Sequence, residues 1–115
     1  MKVTLTTLCE NTSGIQKFAA EWGQSILIET ESVSFLFDTG RTNVALANAN
    51  HIGFDLSKIS GIVLSHSHVD HTGGLRGVLQ RTGPKTIIAH PAVWEKKYTK
   101  RQHEDRTVFN GIPFA

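Results

Sequence analysis

The chain has 115 residues, of which 39% are apolar and 19% are charged, and this composition excludes a disordered protein. The length suits one domain with a modest core. A net charge of +2, without a run of lysine or arginine, argues against nucleic acid as a partner.

The sequence also indicates where the protein works. No apolar run approaches the ~20 residues that a membrane helix requires, so no membrane partner is expected. The N-terminus lacks the features of a signal peptide. The single cysteine, Cys9, can form no internal disulfide and is expected in the core. These features predict a cytoplasmic protein.

The first third of the chain is rich in predicted strands. Apolar and β-branched residues predict strands at residues 3–8, 25–30 and 33–38. A short polar segment joins the last two, which predicts a hairpin. Between the first two strands, Phe18 to Trp22 predicts one helical turn that Gly23 ends.

The rest of the chain alternates helices with strands. Helices are predicted at residues 43–50, 75–80 and 91–98, and strands at 61–65 and 86–90. The compact apolar run at 61–65 is typical of a strand buried on both faces. Residues 100–106 are polar and predicted to be exposed. This order predicts an α/β fold in which helices cover a mixed β-sheet, as a single domain over residues 1–115.

The segment that follows the strand at 61–65 contains the candidate metal ligands. His66, His68, Asp70 and His71 place three imidazoles and one carboxylate within six positions. These ligand types suit zinc, and also iron or manganese. At a strand end, His66 and His68 face the same side and can grip one ion. Asp70 and His71 can serve a second ion if the backbone turns, and two neighbouring ions would lower the pKa of a shared water. A chance cluster of histidines on an exposed loop is the competing interpretation.

The residues His66-Ser67-His68-Val69-Asp70-His71 resemble the His-x-His-x-Asp-His motif of the metallo-β-lactamase superfamily. Phe37-Asp38-Thr39-Gly40 resembles an upstream strand-end motif of that family. Further segments occur in the expected order, so the resemblance covers essentially the whole chain. Within the family, segments at residues 10–12, 71–75, 89–91 and 111–114 are similar to the branch named for dihydropterin ribofuranosyl-aminobenzene phosphate synthase.

The resemblance implies a metal-dependent hydrolase with two ions, zinc first and iron or manganese as alternatives. His66 and His68 would bind metal 1, Asp70 and His71 would bind metal 2, and Asp38 would orient the metal loop. A metal-activated water would attack an ester or phosphoester-like bond of a small-molecule substrate. Asp70 would pass a proton to the leaving group.

The resemblance also implies that the chain is half of a four-layer αββα sandwich. The family's remaining metal ligands come from its second half, and no residues here match them. The chain is therefore expected to be truncated before that half, with two alternatives: a separate second-half chain, or a homodimer of first halves. A lone half would expose a sheet face. A non-catalytic metal-binding or assembly module is the alternative to an enzyme, and nucleic-acid processing is a further one.

Other residues carry weaker predictions. His90 could line a substrate pocket, or it could be a strand-end histidine satisfied by the backbone. His51 and His103 are expected at the surface, and Trp22 and Trp94 in packing contacts. A basic group is expected to form a solvated helix face rather than a phosphate site. Its members are Lys96, Lys97, Lys100 and Arg101.

Overall fold

The computed structural model describes residues 1–101, 103 and 105–114. Within them, five strands form one sheet in the order β1-β2-β3-β4-β5, and two strands form a separate hairpin. The strands are β1 Thr4–Cys9, β2 Ser25–Glu29, β3 Ser34–Phe37, β4 Gly61–Val63, β5 Thr86–Ile88, β6 Tyr98–Lys100 and β7 Thr107–Phe109. The helices are α1 Val44–His51, α2 Val69–Thr72 and α3 Leu75–Thr82, with 3₁₀ turns at Leu56–Lys58 and Pro91–Trp94.

The main sheet is mixed, as the sequence predicts. β1, β2 and β3 pair in antiparallel fashion, which confirms the hairpin, whereas β3, β4 and β5 pair in parallel. In the parallel part Phe37 lies opposite Val63, so β3 and β4 end side by side. Residues that directly follow these two strands are therefore brought together at one edge of the sheet.

One face of the sheet builds the core. The strand register aligns Leu27, Leu36 and Ile62, and none of the three exposes any surface. They form one cluster with buried residues of the helices α1 and α3. This packing confirms the predicted α/β arrangement of helices on a mixed sheet.

The opposite face of the sheet is also apolar. The register aligns Leu5, Ile28 and Phe35 on this face, and Ile88 lies on it at the far edge. Leu5 is 66% exposed and Ile88 is 52% exposed. The sheet therefore offers a second, partly exposed apolar surface, of the kind that favours association.

The helical turn predicted at residues 18–22 is wrong, since that segment is irregular. Distant side chains hold it instead. Asn48 of α1 donates to the carbonyl oxygens of Leu8 and Ala19 at 2.7 and 2.9 Å, and its Oδ1 accepts from the Ala19 N–H at 3.1 Å. The Glu21 carboxylate accepts from the Thr42 N–H at 2.9 Å. These long-range bonds override the local helical preference.

The helix predicted at residues 91–98 is also wrong. It ends at Trp94 as a 3₁₀ turn, and Tyr98 already begins β6. The Lys97 ammonium group donates to the carbonyl oxygens of Ala92 and Glu95 at 2.8 and 3.2 Å, so these carbonyls are satisfied without a helix. The basic residues therefore do not form a helix face.

Two predictions about large side chains are wrong as well. Trp22 is 69% exposed and Trp94 is 57% exposed, so neither is a packing residue. The polar residues between 100 and 106 are exposed as predicted, although Gln102 and Glu104 lie outside the described residues. No helix in the described part of the chain is long and apolar enough to cross a membrane.

Cys9 is buried in the core, as predicted, with 1% of its surface exposed. Burial, reinforced by the charges of Glu21 and Glu10, raises the pKa of its thiol from 9.0 to about 12. At pH 8 the thiolate is therefore roughly a thousandfold scarcer than in the unfolded chain. We expect a thiol-reactive disulfide reagent to label the native protein at least about a hundredfold more slowly than the urea-unfolded protein.

The same shift gives a signed dependence of stability on pH. A pKa that is raised on folding contributes stability below pH 9, and this contribution is lost as the pH rises toward 12. With Cys9 replaced by alanine, the free energy of unfolding should fall less steeply as the pH rises from 9 toward 12. Equal labelling rates in the native and unfolded states would contradict this description of the thiol.

Candidate metal centre

The predicted metal ligands lie in a loop that leaves the carboxyl end of β4. Leu64 is buried directly after the strand, whereas His66 and His68 are exposed. The backbone then turns into the short helix α2, which carries Asp70 and His71 with 19% and 18% of their side chains exposed. The expected turn between His68 and Asp70 is therefore present.

Asp38 connects this loop to the neighbouring strand. It follows β3, is completely buried, and has a φ of 57°, in the left-handed region that aspartate tolerates better than most residues. Its Oδ1 accepts from the Ser65 N–H at 2.8 Å. Its Oδ2 accepts from the Ser65 hydroxyl at 2.7 Å and from His71 Nδ1 at 2.8 Å. The Asp38 carboxylate thus holds both Ser65, which directly precedes the motif, and His71, which ends it.

These bonds determine which ring nitrogen of two histidines carries the proton. The Asp38 carboxylate only accepts, so Nδ1 of His71 must be the protonated nitrogen. Because Ser65 gives its hydroxyl proton to Asp38, its oxygen accepts from Nδ1 of His66, which lies 2.8 Å away. When each ring carries a single proton on Nδ1, its Nε2 is left unprotonated, which is the form that binds a metal ion.

Sequence reasoning identified Asp38 but missed Ser65. The sequence did contain a signal for Ser65, because this residue lies directly between a strand predicted to be buried and the motif. A hydroxyl at that position can reach the end of the neighbouring strand. A hydroxyl both donates and accepts, so it can relay a hydrogen bond where a carboxylate alone cannot reach. Ser65 is the residue through which Asp38 acts on His66.

The structure brings the four predicted ligands together. Ring centroids lie 4.7 Å apart for His66 and His68, and 4.2 Å apart for His66 and His71. Nε2 of His71 lies 3.4 Å from Oδ2 of Asp70. Desolvation of the ring where it meets the protein, with smaller contributions from His71 and His68, lowers the pKa of His66 although the residue as a whole is exposed.

The types of side chain in the motif suit zinc, but the number of ligands available to one ion is smaller than the four that zinc usually takes. Three imidazoles and one carboxylate are ligands that zinc prefers, and Nε2 of His66 and of His71 takes no part in the bonds to Asp38 and Ser65. Within residues 1–101, 103 and 105–114, however, no group of three or more His, Cys, Asp or Glu side chains is arranged to hold one ion.

The backbone of the motif is fastened by residues outside it. The carbonyl oxygen of His71 accepts from the N–H and the hydroxyl of Thr39 at 2.8 and 2.9 Å. The carbonyl oxygen of Asp70 accepts from the Gln24 N–H at 3.2 Å. Buried Thr72 bonds back to the carbonyl oxygen of His68 at 3.0 Å. The motif is thus held by residues that adjoin the ends of β2 and β3.

The remaining histidines are His51, His90 and His103. His51 and His103 are exposed, as predicted. Nδ1 of His90 accepts from the Ala92 N–H at 3.1 Å, which satisfies that nitrogen through the backbone. His90 also lines a cavity of about 220 Å³ together with His66. Its contact with a substrate stays a prediction.

The sequence matches one family model and several known proteins. The family model described as the metallo-beta-lactamase superfamily matches residues 23–110. The chain is 34% identical over 103 residues to the 7,8-dihydropterin-6-methyl-4-(beta-D-ribofuranosyl)-aminobenzene-5'-phosphate synthase of Methanocaldococcus jannaschii, covering 84% of this chain and 35% of the relative. It is 38% identical over 85 residues to ribonuclease Z of Treponema pallidum, covering 68% and 26%.

Solved structures agree with this match. The metallo-β-lactamase MIM-1 from Novosphingobium pentaromativorans superposes with a TM-score of 0.58 at 26% identity, covering 80% of this chain and 36% of that one. The Rm3 metallo-beta-lactamase gives a TM-score of 0.53 at 27% identity, covering 76% and 32%. The chain thus spans about a third of the length of the relatives it matches.

Proposed function

Because the chain belongs to the metallo-β-lactamase superfamily, we propose that it carries half of a dinuclear zinc site for the hydrolysis of an ester or phosphoester. His66 and His68 would hold one ion, and Asp70 and His71 the other. The observation that carries this proposal is the pair of hydrogen bonds that engage Nδ1 of His66 and of His71 and leave Nε2 of each ring outside them. A structural role alone would not require both rings in the metal-binding tautomer.

The chain's own residues would prepare the site as follows. Asp38 and Ser65 orient the two rings before any ligand arrives, which reduces the reorganisation of these rings on binding. When bound, the ions supply Lewis acidity, which lowers the pKa of water and polarises the ester. Asp70 has its carboxylate partly exposed and would take on Oδ2 the proton that the attacking water releases and deliver it to the leaving-group oxygen as the ester bond breaks.

The proposal includes ligands from outside this sequence. Zinc usually takes four ligands, and the motif offers two for each ion. We propose that the rest of each coordination sphere comes from a second half of the fold, either further along a longer polypeptide, in a separate chain or in a second copy. The partly exposed apolar sheet face with Leu5 and Ile88 supports such an association.

A metal-binding or assembly module without activity of its own is the second candidate. The ligand pairs favour it, since no described group of three ligands encloses one ion. Processing of nucleic acid, as the name of the ribonuclease Z relatives suggests for those proteins, is less well supported here because the net charge is only +2. A small-molecule substrate and a cytoplasmic location, which suits the free thiol of Cys9, remain part of the proposal.

Hydrolysis by the zinc-loaded chain, assayed at a concentration where native mass spectrometry shows it paired with a second copy, separates the two candidates. We expect zinc-dependent cleavage of bis(p-nitrophenyl) phosphate or p-nitrophenyl acetate, measured by p-nitrophenolate absorbance. His68→Ala should lower the rate by at least about a hundredfold, whereas His51→Ala, at an exposed histidine away from the motif, should leave it unchanged. Zinc binding without any zinc-dependent cleavage would favour the inactive module, and equal rates in both variants would contradict the proposed site.

A further inference from the structure

A cleft of about 480 Å³ lies beside the motif, and the proposed function does not use all of its residues. His68 and Asp70 line one side of it. The hairpin of β6 and β7 lines the other with Arg101 and Phe109, and Trp22 completes the lining together with Arg41. This volume is typical of a site for a small organic molecule.

The cleft carries an excess of positive charge. Arg41 and Arg101 face a single carboxylate, that of Asp70, among its lining residues. In the described part of the chain, neither guanidinium has a carboxylate within ion-pair distance. Guanidinium groups without partners are suited to bidentate binding of a phosphate group.

The same cleft carries exposed aromatic surface. Trp22 is 69% exposed and Phe109 is 44% exposed, although both side chains are largely apolar. Exposed aromatic rings beside a cationic cleft provide stacking surfaces for a planar ring. The irregular path of residues 18–22, which sequence reasoning missed, is what places Trp22 there.

We propose that this cleft binds a phosphate ester that carries an aromatic ring and is about the size of a mononucleotide. Arg41 and Arg101 hold the phosphate, Trp22 and Phe109 contact the ring, and the ester lies against His68 and Asp70. The inference rests on the proposed function for this last contact. It extends that function by naming the class of substrate.

The test uses the protein without zinc, in buffer with EDTA, so that binding is separated from catalysis. The chain has two tryptophans, so Trp94→Phe leaves Trp22 as the only one. Adenosine monophosphate should quench the Trp22 fluorescence in a saturable way. Adenosine, which lacks the phosphate, should bind at least about tenfold more weakly.

Matched variants then assign the contacts. Arg41→Gln and Arg101→Gln should each weaken adenosine monophosphate binding about tenfold, whereas Arg81→Gln, at an exposed arginine lining a different cavity, should change it less than about twofold. In equilibrium dialysis, Trp22→Leu should weaken binding about tenfold and Trp94→Leu should not.

Three results would overturn the inference: no saturable quenching, equal affinity for the nucleotide and the nucleoside, or equal losses in Arg81→Gln and the cleft variants. A deca-adenylate that binds more than about a hundredfold tighter with a steep salt dependence would also overturn it in favour of a polynucleotide. If zinc binds the motif but the nucleotide does not bind, only this inference fails. If the nucleotide binds but zinc does not, the proposed hydrolase fails.

Discussion

Replacing Asp38 with alanine is expected to lower the free energy of unfolding by about 3–5 kcal/mol. The carboxylate is completely buried and accepts three hydrogen bonds, from the N–H and hydroxyl of Ser65 and from His71 Nδ1. Alanine would leave these donors unpaired and would also have to adopt a φ of 57°. Urea denaturation of the metal-free protein measures the loss.

Asparagine at the same position separates stability from metal binding. It tolerates the left-handed backbone, but its amide nitrogen cannot accept from both Ser65 and His71. If that nitrogen replaces Oδ2, His71 must turn its proton to Nε2 and loses the lone pair for zinc. We expect Asp38→Asn to weaken zinc binding about 10–100-fold, measured by competition with a chromophoric chelator.

Asp55 provides a matched control. Its carboxylate also accepts from the N–H and hydroxyl of a serine, Ser57, at 3.0 and 2.7 Å, but the residue is exposed. Asp55→Ala should therefore cost no more than about 1 kcal/mol and leave zinc binding intact. Equal effects of the two alanine variants would show that Asp38 does not organise the motif.

The second large loss of stability is expected when Gly73 or Gly74 is replaced by alanine. A Cβ atom at Gly73 would overlap the carbonyl oxygen of Arg41, and one at Gly74 would overlap that of Thr39, both well inside van der Waals contact. Both neighbours are backbone atoms, so neither can move as a side chain would. Each glycine has an ordinary helical φ, near −60° and −80°, so the requirement is for close approach rather than for an unusual backbone.

Gly73→Ala and Gly74→Ala are therefore each expected to destabilise the fold by at least about 3 kcal/mol, or to prevent folding. Gly14→Ala is the control, because a Cβ there meets no atom within 4 Å. It should change stability by no more than about 0.5 kcal/mol. Thermal unfolding followed by circular dichroism compares the three. A melting temperature that is unchanged in Gly73→Ala would contradict the close packing of the motif against residues 39–42.

The elements that sequence patterns predicted well are those whose signals are local. The hairpin of β2 and β3, the strand β4 and the helices α1 and α3 each carry a local signal, either in their composition and flanking turn residues or, for α3, in a helical periodicity of apolar residues. The position of the motif at the end of β4 followed from them. Once β3 and β4 are known to be parallel neighbours, Asp38 and the motif must meet.

The features that were missed depend on distant partners. Residues 18–22 are held by bonds to Asn48 and Thr42, and no local pattern reveals such bonds. Lys97 satisfies carbonyl groups that a helix would otherwise use, so the helix after Pro91 stops early. The relay through Ser65 requires the exact positions of two strand ends. These same departures from local preference place Trp22 beside the cleft and fix the ring of His66.

Zinc stoichiometry by native mass spectrometry tests the central claim most directly. The wild-type chain should bind zinc, and a variant with alanine at His66, His68, Asp70 and His71 should bind none. A control with alanine at the exposed His51 and His103 should bind as much as the wild type. Zinc retained by the motif variant, or lost equally from both variants, would contradict the account.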